Sequence, residues 1–120
     1  VSNEEVYQLL LGCRETDYSA ILKDVDGAKI AAWWDRAVDI IPANGGKGIG
    51  IQKVLEYYHL DKSEAIAFGD GGNDVAMLEY AGIGVAMGNA CDDAKAAADY
   101  VTTDIDKEGI AKALRHFGLV

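Results

Sequence analysis

Ala67-Phe68-Gly69-Asp70-Gly71-Gly72-Asn73-Asp74-Val75-Ala76-Met77-Leu78 is the stretch whose reading decides the fold. Ahead of it, Glu64 to Phe68 is apolar enough for a short buried strand. After it, Val75, Leu78 and Ala81 recur at helical spacing. Two carboxylates, an amide and three glycines therefore sit on a strand-to-helix turn. In a parallel α/β sheet such a turn lies at the carboxyl end of a strand, where ligands bind. Asp70 and Asp74 can converge there on one hard cation, with Asn73 beside them. Mg²⁺ suits such a place, because it takes oxygen ligands and keeps several waters next to a substrate phosphate. The plainer alternative is a capped helix start with a glycine turn. Two acids and an amide in Gly-Asp-Gly-x-Asn-Asp spacing, directly after an apolar strand, weigh against it.

The run from Gly69 to Leu78, followed by Ile83-Gly84-Val85-Ala86-Met87-Gly88-Asn89-Ala90, resembles the fourth motif of the haloacid dehalogenase (HAD) superfamily. It is most similar to the Cof-type sugar-phosphate phosphatase branch. The resemblance covers residues 42 to 120 and, more weakly, 1 to 41. It implies an α/β fold: the C-terminal half of a Rossmann-like parallel sheet (residues 42–120), preceded by the tail of an α/β cap (residues 1–41). It also implies Mg²⁺ as cofactor and phosphoryl transfer through an aspartyl-phosphate, with a small phosphorylated metabolite, a sugar phosphate first, as substrate. Asp70 would be a direct metal ligand. Asp74 would hold a metal-bound water or pair with Lys47. Asn73 would meet the phosphate or brace the loop. Lys47 matches the third-motif lysine of that family and would contact the phosphate. The catalytic set implied is Lys47, Asp70 and Asp74.

Lys47 also stands out without the resemblance. It follows Pro42-Ala43-Asn44-Gly45-Gly46, a pivot holding the only proline, and opens a helix whose apolar face is expected to be Ile51, Val54, Leu55 and Tyr58. A lysine there meets the positive end of the helix dipole, which makes more sense if an anion binds nearby. A solvated surface lysine is the alternative. From Lys47 onward the pattern is αβαβαβα, with connections short enough to require parallel crossovers.

Before the pivot, Glu5 to Leu11 forms an apolar run expected as a strand. Tyr18, Ile21, Leu22 and Val25 share one helical face, so a helix is expected over 17–25. Ala28 to Ile41 reads as two strands joined near Asp35-Arg36. Trp33 and Trp34 are expected as core or half-buried sheet positions rather than as a pocket lining. His59 is expected at the surface, without a catalytic role.

Asp24-Val25-Asp26-Gly27 resembles the nucleophile motif of the same superfamily, but its flanks contradict that role. The residues before it have helical period, and only 22 residues separate Asp24 from Lys47. A helix end followed by an Asp-Gly turn is expected instead. No nucleophile and no second-motif serine or threonine is identifiable. The chain is therefore expected to be a carboxyl-terminal part of a phosphatase, inactive alone, partnered by a missing N-terminal half or by copies of itself. A start at Val1 rather than Met agrees with this. The rival from another class is a non-catalytic Mg²⁺-binding or assembly module with the same fold. A P-type pump shares Gly-Asp-Gly-x-Asn-Asp, but would need membrane spans and an Asp-Lys-Thr-Gly site, and neither is present.

The 120 residues suffice for one modest domain. Twenty acids against eleven bases give a net charge of −9, which argues against nucleic acid and anionic membranes as partners. Cys13 and Cys91 have no metal-type spacing. Reduced thiols, and hence a cytoplasmic location, are expected.

Overall fold

The computed structural model describes residues 5–120. It falls into two compact units, Val1–Gly46 and Lys47–Val120.

The first unit is a three-stranded antiparallel sheet of β1 (Leu9–Leu11), β2 (Ala28–Trp34) and β3 (Ala37–Pro42), in the order β1-β3-β2. Asp35-Arg36 makes the two-residue hairpin between β2 and β3, with Ile30 facing Ile40 and Ala32 facing Val38. The register shifts between Ala32 and Trp34, beside the hairpin. There Trp33 and Trp34 are 43% and 59% exposed, more open than expected of core residues. Trp33 sits in that irregularity and Trp34 pairs with Ala37 next to the hairpin, so both lie at the strand's end rather than in the buried middle of the sheet.

The helix expected over 17–25 is shorter. A 3-10 turn at Glu15–Asp17 leads into α1 (Tyr18–Ile21), and the chain then turns. Asp24 has φ of 59°, a left-handed conformation that Asp tolerates better than most residues. The left-handed Asp24 keeps the helix from running on to residue 25. Asp24 and Asp26 stand exposed on a turn after a helix, not at the end of a buried strand.

The second unit carries a parallel sheet of β4 (Ile66–Gly69), β5 (Ile83–Ala86) and β6 (Tyr100–Val101), in that spatial order. The helices are α2 (Lys47–Tyr58), α3 (Val75–Tyr80), α4 (Asp92–Ala97) and α5 (Gly109–His116). The alternation expected from Lys47 onward is the one observed. Its core is built largely of small residues: Ala67, Leu78, Ala81, Ala86, Met87, Ala90 and Ala94. Small side chains let helices and sheet approach closely, so close packing rather than bulk carries the burial.

Two contacts show how close. A Cβ on Gly48 would lie 2.8 Å from the Ala76 carbonyl oxygen, so α2 meets α3 backbone to backbone at that point. This contact moves the buried line of α2 to Gly48, Ile51 and Leu55. Val54 and Tyr58, expected on the buried face, lie to one side of that line and are 54% and 65% exposed. On β5, a Cβ on Gly84 would lie 2.3 Å from the Leu78 carbonyl oxygen. Gly84→Ala must push α3 off the sheet, and we expect it to cost about 3 kcal/mol or more. A urea midpoint equal to that of the parent chain would refute this packing.

Candidate active site

The turn after β4 is built around one buried carboxylate. β4 ends at Gly69, Asp70 and Gly71 follow, and a 3-10 turn at Gly72–Asp74 leads into α3. Asp74 folds back beneath the strand end and is only 3% exposed. Its Oδ2 accepts the backbone N–H groups of Asp70 (2.9 Å) and Gly71 (3.0 Å). Its Oδ1 accepts Lys47 Nζ at 2.5 Å. Gly69 makes room for this fold: a Cβ there would sit 2.6 Å from Asp74 Cβ. Lys47 is the first residue of α2 and its side chain is half exposed. The cation expected to be misplaced at a helix start is thus held by a carboxylate from the neighbouring loop.

The arrangement leaves Asp70 free. Its backbone is pinned on both sides, the N–H by Asp74 and the carbonyl by the Cys91 N–H at 2.9 Å, and the residue itself is exposed. Asn73 lies half-buried on the same turn. Lys47, Asp70 and Asp74 line one open depression of about 460 Å³, whose other walls are apolar: Phe68, Met77, Met87, Ile105 and Ile110. Motif spacing alone did not foretell that apolar wall. Ile105 comes from the segment ahead of α5, and its N–H is held by Asn89 Oδ1 at 3.1 Å. Asn89 sits in the second run quoted above, but nothing in sequence spacing revealed its partner. His59, at φ of 56°, follows α2 in a left-handed conformation and is exposed.

The electrostatics follow from this geometry. Burial resists ionisation of Asp74, but the Lys47 ammonium and the Gly71 and Asp70 N–H groups outweigh it and hold its carboxyl below the usual Asp range. A depressed folded pKa means that Asp74 contributes stability above its unfolded value, about 3.9. That contribution is lost as pH falls through the unfolded value towards the lower folded one. We expect the urea midpoint of the chain to drop between roughly pH 5 and pH 3. The drop should be shallower in Asp74→Asn; equal slopes in the two proteins would contradict the buried, ionised carboxylate.

Known proteins resemble this chain over nearly its whole length. Residues 1–114 match the family model of haloacid dehalogenase-like hydrolases. The chain is 41% identical over 117 residues to the putative phosphatase YkrA of Bacillus subtilis, covering 98% of this chain and 45% of that protein. It is 38% identical over 122 residues to the 5-amino-6-(5-phospho-D-ribitylamino)uracil phosphatase YitU of the same organism, covering 95% of this chain and 45% of that one. Among solved structures, it superposes on the HAD subclass IIB sugar phosphatase BT4131 with a TM-score of 0.91 and 41% identity, over 98% of this chain and 45% of the other. The chain thus spans about half the length of the curated relatives it matches. Among the described residues, no helix is long and apolar enough to cross a membrane.

Proposed function

Since this chain belongs to the haloacid dehalogenase-like hydrolases, we propose that the protein it forms part of is a Mg²⁺-dependent phosphomonoesterase, with residues 1–41 as the tail of its cap and 42–120 as the second half of its catalytic core. The observation that carries this is the division of labour in the loop: Asp74 is committed to bracing, while Asp70 is held in place with its carboxylate open.

The donor chemistry fits Mg²⁺. Asp70 offers hard oxygen to an open depression, and both Asp74 oxygens already accept protein donors. Among the described residues, no third His, Cys, Asp or Glu completes a cluster able to hold a metal. One free carboxylate is what a cation needs when waters and a substrate phosphate fill its other positions. Asp70 would hold the cation, and Asp74 would reach it through water. When bound, Mg²⁺ supplies charge neutralisation for the phosphoryl group.

The remaining work belongs to the chain's own groups. Lys47 neutralises charge on the phosphate, and Asp74 keeps its ammonium aimed at the depression. Asn73 donates its amide to a phosphate oxygen. The attacking carboxylate comes from outside residues 1–120, so this chain alone is inactive. The substrate is a small phosphorylated metabolite, a sugar phosphate being favoured by the likeness to BT4131.

Hydrolysis of p-nitrophenyl phosphate in Mg²⁺ tests the proposal. The purified chain should give none. A single polypeptide with the uncovered part of YkrA placed ahead of Val1 should turn it over. Lys47→Ala in that polypeptide should lower kcat/KM by roughly a hundredfold. Turnover by residues 1–120 alone, lost in Asp70→Asn, would overturn the assignment and bring Asp24 or Asp26 forward as nucleophile.

A further inference from the structure

Asp26-Gly27, Asn44-Gly45 and Asp70-Gly71 are the dipeptides of this chain most prone to cyclise on themselves. A glycine leaves its own amide nitrogen open to the side chain of the residue before it, because no Cβ stands in the way. The nitrogen bonds to the side-chain Cγ. From an aspartic acid, the carboxyl hydroxyl and the amide proton leave together as water, and a five-membered succinimide remains. Water then adds back. Cleavage of the new C–N bond at Cγ restores aspartate. Cleavage at the backbone carbonyl carbon gives isoaspartate, with the main chain rerouted through the side chain. Nothing is oxidised or reduced.

Exposure does not sort these dipeptides, since Asp26, Asn44 and Asp70 all lie at the surface. What differs is how the peptide group after each is held. Attack requires that group to rotate until its nitrogen faces Cγ. Among the described residues, neither the Asp26 carbonyl nor the Gly27 N–H takes part in a backbone hydrogen bond. The Gly45 N–H donates to the Pro42 carbonyl at 2.8 Å, a neutral acceptor. The peptide group between Asp70 and Gly71 is tied at both ends. Its carbonyl accepts the Cys91 N–H at 2.9 Å, and its N–H donates to Asp74 Oδ2 at 3.0 Å.

The Asp74 bond opposes cyclisation twice. A hydrogen bond to a charged acceptor is about twice as strong as one between neutral groups, and rotation of the peptide group has to break it first. The nitrogen must also release its proton. A carboxylate oxygen 3.0 Å away disfavours that loss, because it would set two negative charges side by side. The same Oδ2 accepts the Asp70 N–H at 2.9 Å, so the backbone on both sides of residue 70 hangs on one oxygen. With Asp74 only 3% exposed, water competes poorly for it.

We propose that Asp74 is a chemical guard as well as a brace. By holding the Gly71 amide it keeps Asp70 from cyclising, and isoaspartate formed from aspartate accumulates at Asp26 instead. Asp26 is thus the site of modification, and Asp70 keeps an open carboxylate beside a glycine without the instability that this pairing brings. Isoaspartate at residue 70 would shorten the side chain and lengthen the loop by one carbon. That this would remove a cation ligand rests on the function proposed above; the guard itself does not.

Ageing the purified chain in warm, neutral buffer made with 18O-labelled water tests the guard. Each cyclisation and reopening leaves one heavy oxygen at the residue, whichever product forms. Peptide mapping by mass spectrometry reads the label residue by residue. Neither Mg²⁺ nor substrate is added, so failure of the proposed function leaves the result untouched. Asp26 should take up label at least tenfold faster than Asp70, and its peptide should split into aspartate and isoaspartate forms. Asp74→Ala should raise labelling at Asp70 at least tenfold and leave Asp26, in the other unit, unchanged. Lys47→Ala removes the ion pair but neither amide bond, and Gly84→Ala weakens the same unit with the loop intact. Aged below their melting transitions, both should keep Asp70 slow. Labelling of Asp70 as fast as that of Asp26 in the parent chain would overturn the guard without any variant. Equal labelling of Asp70 in Asp74→Ala and Gly84→Ala would overturn it too, by assigning the protection to the stability of the unit as a whole.

Discussion

Asp74→Ala is expected to destabilise the Lys47–Val120 unit by about 3 kcal/mol, which for a unit of this size lowers its melting temperature by roughly 15 °C. The estimate comes from what the carboxylate holds. It is 3% exposed and accepts three donors, two of them backbone N–H groups of the loop that follows β4. Hydrogen bonds to a charged group contribute about 1.5–3 kcal/mol each, but Lys47 is half exposed and recovers much of its loss from water. The Asp70 and Gly71 amides have less recourse to water, so they dominate. Lys47→Ala should therefore cost about 1 kcal/mol, far less than Asp74→Ala. Calorimetry on the two variants decides the matter. Equal losses would place the stabilisation in the ion pair and not in the amide brace.

Asp70→Asn has the opposite profile. Its melting temperature should match that of the parent chain, because the bonds that fix residue 70 run through its backbone, by way of Asp74 and Cys91. In the polypeptide that also carries the complementary half, phosphate release should fall by roughly a thousandfold, since on the proposed function the lost carboxylate is the one that would hold Mg²⁺. Titration of the 15N-labelled chain with Mg²⁺ gives a second readout: shifts at the Asp70 to Asp74 amides should vanish in the variant. Unchanged Mg²⁺ binding would remove Asp70 from its role. A fall in melting temperature as large as that of Asp74→Ala would mean that the loop is held together through both carboxylates.

The contrast between these residues shows how far the chain can be read in one dimension. Asp70 and Asp74 look alike in sequence, two acids four apart beside glycines. Spacing places both on one turn, because a strand that ends in Gly-Asp-Gly and a helix that begins at Val75 leave the chain no other geometry. It does not say which carboxylate is open. That depends on Gly69, whose missing side chain lets Asp74 tuck beneath the strand, and on Lys47, which arrives from a helix 27 residues upstream. The apolar wall of the depression was equally hidden. Ile105 and Ile110 are distant from the loop in sequence and reach it through the connection that Asn89 holds.

Local signals fared according to how local their causes are. The alternation of β4, α3, β5, α4, β6 and α5 follows from apolar periods and glycine breaks, which act over a few residues. The hairpin at Asp35-Arg36 follows from two apolar runs with a polar pair between them. The helix before Asp24 is shorter than its apolar period, since Val25 continues the face while the backbone has already left the helix at Leu22 and turns left-handed at Asp24. The buried face of α2 was misplaced at Val54 and Tyr58, because periodicity gives a stripe and only the close approach at Gly48 decides where along it the neighbour sits.

By itself, the sequence determined the parallel α/β arrangement after Lys47 and the position of the acidic loop at a strand's end, through residue spacing and backbone preference acting over short range. Tertiary structure alone decided that Asp74 is the brace and Asp70 the open carboxylate, and that β4 is left as an edge. Those outcomes depend on contacts between elements far apart in the chain, where a missing Cβ, a half-exposed ammonium and the order of the strands set which polar groups are satisfied and which remain free.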